Sequence, residues 1–439
     1  MRKFIALTLI LLLTLTACSY GDGGTLLRLP KPPRAFDTLQ TRVGELLDKG
    51  GEYAPPVSGT NRQVWQTFDL NADDKREVMI FLRFSEELRI YVFTPDGDDY
   101  AEAGVITEPA ERINSVMYRD VTGDGELEIL VGWEVGGGSL KNLSVYKLRD
   151  DEGIFDELLN ADFSELSVFD MRAAEHDDIL TLSYDPVKSA GTAHLLYYED
   201  GAFKSLAANM SNGAKGIERV LSGKLSDGQA ALYVACAMEQ NATITDIFTW
   251  RDGSFFNVSM NPVSGVSDQN IRYKTIYAAD INSDGIIDLP GVTALPGYPS
   301  SPENTEFWLT EWHDYNSFGN VTHVATTYYD QTDGWYVTLP DNWDFTVTTR
   351  ETTANTVMVE LAFLRKTGDP VPMCRIYALT GDDRSKQAVS DGRFLLAEKT
   401  GTAFAARISD GEKPIPITRE SVIAMFSLIK DAWQTGMVE

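Results

Sequence analysis

Apolar and polar residues alternate along most of the chain between residues 60 and 330, and this two-residue period predicts β-strands with one buried face. The strands recur in a unit made of one strand, an acidic turn and a second strand. Three strong copies of the unit span 64–82, 116–133 and 275–292, and two weaker copies span 166–184 and 219–235. This region of the sequence lacks amphipathic stretches long enough for a helix, which argues against an α/β fold.

A second unit alternates with the first, an aromatic-rich hairpin with Asp and Gly in its turn. Its copies span 88–100, 143–155, 194–206 and 246–258, with a looser copy at 307–321. Their turn glycines Gly97, Gly153, Gly201 and Gly253 lie 56, 48 and 52 residues apart. A period of about 50 residues with four short strands is typical of a β-propeller blade, which buries its faces against its neighbours. We therefore predict a mainly β chain with a propeller of about five to seven four-stranded blades over 56–334; an array of two-sheet sandwiches is the alternative.

From about residue 331 the pattern changes to a mixture of β-rich segments and one terminal amphipathic stretch. We predict a small α+β domain over 335–439, although its first strands could instead complete a last blade. The final helix is predicted from its capping residues and from apolar residues at helical spacing. The caps are Thr418 and Ser421, and the apolar positions are Val422, Met425, Phe426 and Ile429.

The first 18 residues have the layout of an export signal. Arg2 and Lys3 precede an uncharged apolar run that is shorter than the roughly 20 residues of a membrane-spanning helix. The run ends in Leu15-Thr16-Ala17-Cys18, which resembles the lipobox of bacterial lipoproteins. That resemblance implies cleavage after residue 17, lipidation of Cys18 and anchoring to the extracytoplasmic face of a bacterial membrane, with 18–55 as tether and N-terminal segment. A secretory signal with an incidental Cys is the alternative.

Composition narrows the classes of partner. The formal net charge of −27 repels phosphate backbones, so we expect no nucleic-acid partner and a monomeric chain. Cys236 and Cys374 lie far apart in apolar runs, which predicts buried free thiols rather than a disulfide framework.

The acidic turns of the three strong units carry oxygen side chains at positions 1, 3, 5 and 9, with a carbonyl available at position 7. Such a set suits a hard cation such as Ca²⁺. The three sets are Asp280, Asn282, Asp284, Ile286 and Asp288; Asp120, Thr122, Asp124, Glu126 and Glu128; and Asp69, Asn71, Asp73, Lys75 and Glu77. Gly285 and Gly125 occupy position 6, where positive φ is convenient, whereas Asp74 replaces that glycine in the third set.

These turns are not EF-hands, because position 12 is not Glu and strands flank all three. They resemble the FG-GAP repeats of integrin α-subunit propellers and the related VCBS repeats of bacterial surface proteins, over about residues 60–330. The resemblance implies one to three structural Ca²⁺ sites, ranked 280–288, then 120–128, then 69–77. Metal-free hairpin turns are the alternative. We expect no ion at 175–178 or 224–229, where the alternating carboxylates are missing.

We expect a membrane-anchored, calcium-stabilised module that binds or scaffolds an extracellular protein or glycan. The loops opposite the calcium turns are the expected contact face, with Tyr298 in the longest loop as the preferred contact residue. The alternatives are a hydrolase or lyase acting on glycans or the cell wall, and an accessory lipoprotein of an envelope complex. No G-x-S-x-G, H-E-x-x-H or Walker motif is present, and no catalytic residue is assigned.

Overall fold

The protein is described here by a computed structural model that covers residues 34–97, 99–137, 140–149, 154–296, 298, 307–431 and 433. The signal segment, Cys18, Gly153 and most of the loop around Tyr298 lie outside the described residues. The described chain divides into two compact units, one up to Val116 together with Leu148–Asp156, the other Met117–Lys147 and Glu157 onward. No helix among the described residues is long and apolar enough to cross a membrane.

The first unit begins with helix α1 (Arg34–Asp48), which the sequence analysis did not predict, and continues into sheet 1. Its strands are β1 (Glu52–Tyr53), β2 (Trp65–Phe68), β3 (Glu77–Phe84), β4 (Glu87–Asp96) and β5 (Asp99–Glu108). Strand β3 is central, because β1, β2 and β4 all pair with it. Leu39 and Val43, one helical turn apart on α1, are buried in the same cluster as Val78, Ile80 and Leu82 of β3.

From Arg112 to Thr338 the chain forms four antiparallel sheets, in each of which successive strands pair as neighbours. Sheet 2 contains β6 (Arg112–Arg119), β7 (Glu128–Glu134), β8 (Lys141–Arg149) and β9 (Ile154–Phe163). Sheet 3 contains β10 (Glu165–Phe169), β11 (Asp178–Asp185), β12 (Ala190–Glu199) and β13 (Ala202–Asn209). Sheet 4 contains β14 (Gly216–Lys224), β15 (Ala230–Ala237), β16 (Thr243–Arg251) and β17 (Ser254–Asn257). Sheet 5 contains β18 (Leu289–Ala294), β19 (Trp308–Tyr315), β20 (Val321–Asp330) and β21 (Trp335–Thr338). Short 3-10 turns lie at Glu239–Asn241 and Asp268–Asn270.

Consecutive sheets of the second unit share buried apolar clusters. Leu143 and Val145 of sheet 2 cluster with Ile179 and Leu196 of sheet 3. The next pairs repeat this arrangement, sheet 3 with sheet 4 and sheet 4 with sheet 5. Each sheet therefore buries its faces against its neighbours, as propeller blades do. The fold class is mainly β, of the β-propeller type, as the sequence predicted.

One predicted strand is missing. The stretch before the 280–288 turn forms only a single bridge, between Ala279 and Asp288, instead of the first strand of a four-stranded blade. Sheet 5 gains strands at its other edge instead, because β21 pairs with β20. Residues 335–338, which the sequence analysis assigned to the C-terminal domain, thus belong to a sheet of the repeat region.

The C-terminal region forms a sixth sheet with two short helices. Its elements are β22 (Phe345–Thr352), β23 (Thr356–Phe363), β24 (Val371–Leu379), α2 (Arg384–Gln387), β25 (Phe394–Lys399), β26 (Thr402–Ile408) and α3 (Arg419–Met425). The strand order is β22-β23-β24-β26-β25. Cys374 lies buried in this sheet, and Cys236 lies buried in sheet 4; both thiols are free, as predicted.

The terminal helix is shorter than its apolar spacing predicted. Thr418 and Ser421 form the expected capping box, but α3 ends at Met425. Phe426 begins strand β27 (Phe426–Leu428), which pairs with β21 in sheet 5. The prediction that Phe426 and Ile429 continue the helix was wrong, because the open edge of β21 supplies backbone partners and the ring of Trp335 stacks on Phe426 at 5.9 Å between centroids.

Candidate metal-binding loops

The three acidic turns share one hydrogen-bonding scheme. The carboxylate at position 9 accepts a hydrogen bond from the backbone N–H of position 2, at 2.8 Å for Glu77 with Leu70, 2.9 Å for Glu128 with Val121 and 2.8 Å for Asp288 with Ile281. The aspartate at position 1 accepts two further backbone N–H groups of its own loop. These bonds explain why both ends of each turn are acidic.

Position 6 turns the backbone sharply in each loop. Gly125 and Gly285 adopt φ values of 87° and 85°, and Asp74 adopts 65° in the same left-handed region. Asp74 therefore takes the conformation that the missing glycine would have provided, since Asp tolerates this region better than most residues.

The turn at 170–178 has the same hydrogen-bonding scheme, although its sequence departs from the loop motif. Asp170 accepts the N–H groups of Ala174 at 2.8 Å and Glu175 at 3.0 Å, and Asp178 accepts that of Met171 at 3.2 Å. The sequence analysis identified only 175–178 as a degenerate stretch, because Arg172 and Ala174 stand at positions 3 and 5. The preserved signal was an aspartate at each end, eight residues apart.

In two of the four loops, a positively charged side chain of the protein itself contacts the loop carboxylates. Lys147 of β8 is paired through its Nζ atom with Asp124, and this atom lies 2.8 Å from Glu126 Oε2 and 3.6 Å from Glu128 Oε1. Burial alone would lower the pKa of Lys147, but its hydrogen bonds to Asp124 and Glu126 raise it above the usual value. The ammonium thus stays charged among three carboxylates.

In the 170–178 loop the cation is the guanidinium of Arg172. Its Nε atom donates to Asp178 Oδ1 at 2.8 Å, and its Cζ atom lies 4.3 Å from the ring centroid of Tyr197. Burial raises the pKa of Asp178, and Arg172 acts against that rise. The loop therefore carries its own counter-ion.

The 280–288 loop has the opposite arrangement. Across the residues that the structure describes, Oδ1 of Asp288 and Oδ1 of Asp314 are both buried and have no hydrogen-bond partner. Burial, together with the neighbouring Asp314 carboxylate, raises the pKa of Asp288 to about 8. Two ionised carboxylates cannot donate to one another, so either a proton or a cation must lie between them.

The other residues of this loop motif also carry oxygen atoms that could ligate a cation. Asn282 Oδ1 lies 3.1 Å from the N–H of Asp284, and Asp284 Oδ1 accepts the N–H of Ile286 at 2.8 Å. Asp284 is exposed and Asp280 is half-buried, whereas the carboxylate of Asp288 is completely buried. A cation bound here would be held between an exposed loop and a buried carboxylate.

In the 69–77 loop the buried carboxylate faces a hydroxyl. Thr94 Oγ1 donates to Glu77 Oε1 at 3.1 Å, and Lys75 pairs only with the exposed Asp73, at 3.2 Å. Burial raises the pKa of Glu77. This loop holds neither a buried internal cation nor an additional carboxylate.

The described residues contain no group of three or more His, Cys, Asp and Glu side chains close enough together to hold a metal ion. Ca²⁺ also accepts amide and carbonyl oxygens as ligands. For the 280–288 loop the donor set still fits calcium, since Asn282 and the Ile286 carbonyl complete it and two buried carboxylate oxygens lack partners. When bound, the ion would neutralise these carboxylates and fix the turn.

Tyr298, the preferred contact residue, is engaged within the fold. Its hydroxyl donates to the Val347 carbonyl at 2.8 Å, and its ring stacks on Phe307 at 4.2 Å. Its side chain packs against the apolar cluster of the C-terminal sheet. The structure therefore gives this tyrosine a packing role.

No family model and no curated protein matches the chain. Among solved structures, it is similar at 11% identity to a protein from Lactobacillus plantarum, covering 74% of this chain and 94% of that one, with a TM-score of 0.27. A GH43 β-1,3-galactosidase matches at 11% identity over 82% of this chain and 81% of its own, with a TM-score of 0.28. A Bacillus licheniformis rhamnogalacturonan lyase of PL11 matches at 10% identity over 81% and 91%, with a TM-score of 0.30. Scores this low carry no argument about function.

Proposed function

We propose that the chain is a membrane-anchored, extracytoplasmic binding or scaffold module for a protein or glycan partner, with calcium as a structural ion. The observation that carries the calcium part is the pair of buried carboxylate oxygens on Asp288 and Asp314, which have no hydrogen-bond partner among the described residues. Burying like charges together is unfavourable unless a cation or a proton compensates them. Extracellular modules bind Ca²⁺ with dissociation constants of roughly 10⁻⁴–10⁻³ M.

The anchor part of the proposal rests on the sequence around Cys18, outside the described residues. A lipidated Cys18 would hold the protein at the membrane after removal of residues 1–17. Mass spectrometry of the N-terminal peptide from the membrane fraction tests it. We expect a diacylated Cys18 and release of a Cys18→Ser variant into the soluble fraction; an unmodified peptide beginning before residue 18 would contradict the anchor.

A groove with polar and apolar lining supports binding at the end of sheet 3 opposite its 170–178 loop. Strands β11 and β12 connect there, and the lining includes Asp185, Lys188, Asn209 and Asn212 around a cavity of about 390 Å³. Hydrogen-bonding side chains at an open groove suit a polar ligand such as a glycan or an extended peptide. This face is the one that the sequence analysis expected to contact a partner.

Full-length protein in detergent, immobilised and exposed to a glycan array and to envelope extracts, tests the binding part. We expect a retained ligand whose binding falls at least tenfold in a Lys188→Ala, Asn212→Ala double variant. Lys366→Ala, on a different cavity, is the matched control and should bind normally. Equal binding by both variants would place the contact elsewhere, and turnover of a polysaccharide after calcium removal would favour the enzyme alternative.

A further inference from the structure

We propose that the side chain set against the carboxylate at loop position 9, whether it comes from the neighbouring strand or from the loop itself, decides whether an acidic turn takes a metal ion. Lys147 and Arg172 are built-in cations that replace the ion in the 120–128 and 170–178 loops, whereas Asp314 is an additional ligand of the 280–288 loop. The inference rests on the proposed structural role of calcium, and it adds a rule that states which acidic loops can bind the ion. Lys147 and Asp314 lie outside the nine-residue loop motif, and Arg172 lies inside it, at position 3.

The strand register identifies the facing position. Val78 pairs with Phe93, Ile129 with Tyr146, Ile179 with Leu196 and Leu289 with His313. Each first partner directly follows loop position 9. Continuing each antiparallel register by one residue therefore places position 9 opposite one residue in every sheet. The facing residues are Thr94, Lys147, Tyr197 and Asp314 for the loops ending at Glu77, Glu128, Asp178 and Asp288.

Lys147 closes the 120–128 loop to a cation. Its ammonium contacts Asp124 and Glu126 and lies within 3.6 Å of the buried Glu128, three of the loop's own ligand positions. Two charge-assisted hydrogen bonds hold the ammonium at this position. Calcium would have to displace Lys147 before it could bind, so the loop is closed to the ion.

Arg172 closes the 170–178 loop by a different route. Tyr197 occupies the facing position and brings no charge, but its ring holds the guanidinium in place against Asp178. The Arg172 side chain is 11% exposed and that of Asp178 is fully buried, so the pair excludes water as well as a second cation. The same carboxylate position is neutralised from position 3 instead of from the facing strand.

Asp314 has the opposite effect. It brings a further carboxylate to the face of Asp288, and each residue has a buried Oδ1 atom without a hydrogen-bond partner in the described part of the chain. Two buried carboxylate oxygens without partners, at facing strand positions, suit a hard divalent cation. The site would combine Asp288 and Asp314 with the Asn282 side chain and the Ile286 carbonyl of the loop. Thr94 leaves the 69–77 loop between these extremes, open but with fewer anionic ligands.

Calcium titration by calorimetry, with metal analysis of the dialysed protein, tests the rule on the full chain. Lys147→Thr, which copies Thr94, should raise the number of bound Ca²⁺ ions by one. Asp314→Lys, which copies Lys147, should remove one ion, and Asp314→Thr should weaken that site at least tenfold. Melting in EGTA verifies that each variant is folded, and a variant that does not melt cooperatively is replaced by Lys147→Met or Asp314→Asn.

The outcomes separate the inference from the proposed function. If the wild type binds calcium but Lys147→Thr adds no ion and Asp314→Lys loses none, the rule is overturned while the calcium role survives. If the wild type binds none and Lys147→Thr binds one, the role of Lys147 is supported and the structural calcium of the wild type is not. If neither protein binds calcium, both ideas fail.

Discussion

Asp288 and Asp314 face one another across strands β18 and β19, each with a buried carboxylate oxygen that no described residue satisfies. In sheet 2 the corresponding pair is Glu128 and Lys147, whose Oε1 and Nζ atoms lie 3.6 Å apart. The same backbone position thus holds a like-charge pair in one sheet and an ion pair in another. The first pair needs a proton or a cation to compensate its charge, and the second does not.

The Asp288→Asn substitution should have opposite effects on the melting temperature with and without calcium. The amide oxygen can still accept the N–H of Ile281, now 2.8 Å from Oδ2, so the turn keeps its closing bond. Without calcium the variant should melt at or above the wild-type temperature, because one buried charge is gone; with calcium it should melt below. Calorimetry with 1 mM CaCl₂ or EGTA measures both, and Asp96→Asn in the β4–β5 hairpin is the charge-matched control. The same difference from wild type in both buffers would contradict the prediction.

Replacing Arg172 by Met should destabilise the protein by about 3 kcal/mol, because Asp178 would remain buried without its partner. Chemical denaturation of the single and double variants measures this. Adding Asp178→Asn should restore most of the loss, since the amide needs no counter-ion. A double variant as unstable as the single one would mean that Arg172 acts through packing on Tyr197 alone.

Two glycines of the 120–128 loop allow the stability cost of backbone strain to be measured separately from the cost of a steric contact with the 170–178 loop. Both have positive φ, 79° for Gly123 and 87° for Gly125, so Ala at either costs about 1–2 kcal/mol in strain. A Cβ on Gly123 would also lie 2.8 Å from the ring of His176 in the 170–178 loop, whereas one on Gly125 meets nothing within 4 Å. Gly123→Ala should therefore unfold at lower denaturant than Gly125→Ala. Adding His176→Ala should remove the difference, and equal stabilities without it would show that the ring moves aside freely.

His194 should make the protein less stable as the pH falls. Burial on β12, between Thr181 and Ala207, lowers its pKa below the usual 6.5. The unfolded chain then takes up the proton first, so this contribution is present above about pH 6.5 and is lost as the pH falls through the folded pKa. Compared with wild type, His194→Gln should lose less stability between pH 7 and pH 5. Parallel slopes of stability against pH in that window would refute the assignment.

Much of the fold was readable from the alternation of apolar and polar residues, because strands buried on one face require it. The three acidic loops could also be predicted from the sequence, because the carboxylates that accept hydrogen bonds from the loop backbone must stand at fixed positions. The partners were not: Lys147 follows Glu128 by 19 residues and Asp314 follows Asp288 by 26, and only the hairpin register brings them together. The sequence ranks the 120–128 loop second among the three sites, because nothing in the loop motif reveals Lys147.

The C-terminal strand escaped prediction for a related reason. Phe426 and Ile429 fit a helical period, but Phe426 pairs with Val337 almost 90 residues earlier. A long-range edge can override a local preference, since backbone hydrogen bonds and the stacking of Phe426 on Trp335 are available only in the folded chain.

Calorimetric melting of the wild-type chain, with metal analysis of the same sample, tests the central claim most directly. With about 1 mM Ca²⁺ and a dissociation constant of about 0.1 mM, one site stabilises the fold by about 1.4 kcal/mol, or roughly 2–3 °C in melting temperature. We predict bound calcium and a transition that EGTA lowers by that amount in the wild type but not in Asp314→Lys. An ion-free protein that melts at one temperature with and without EGTA would contradict it.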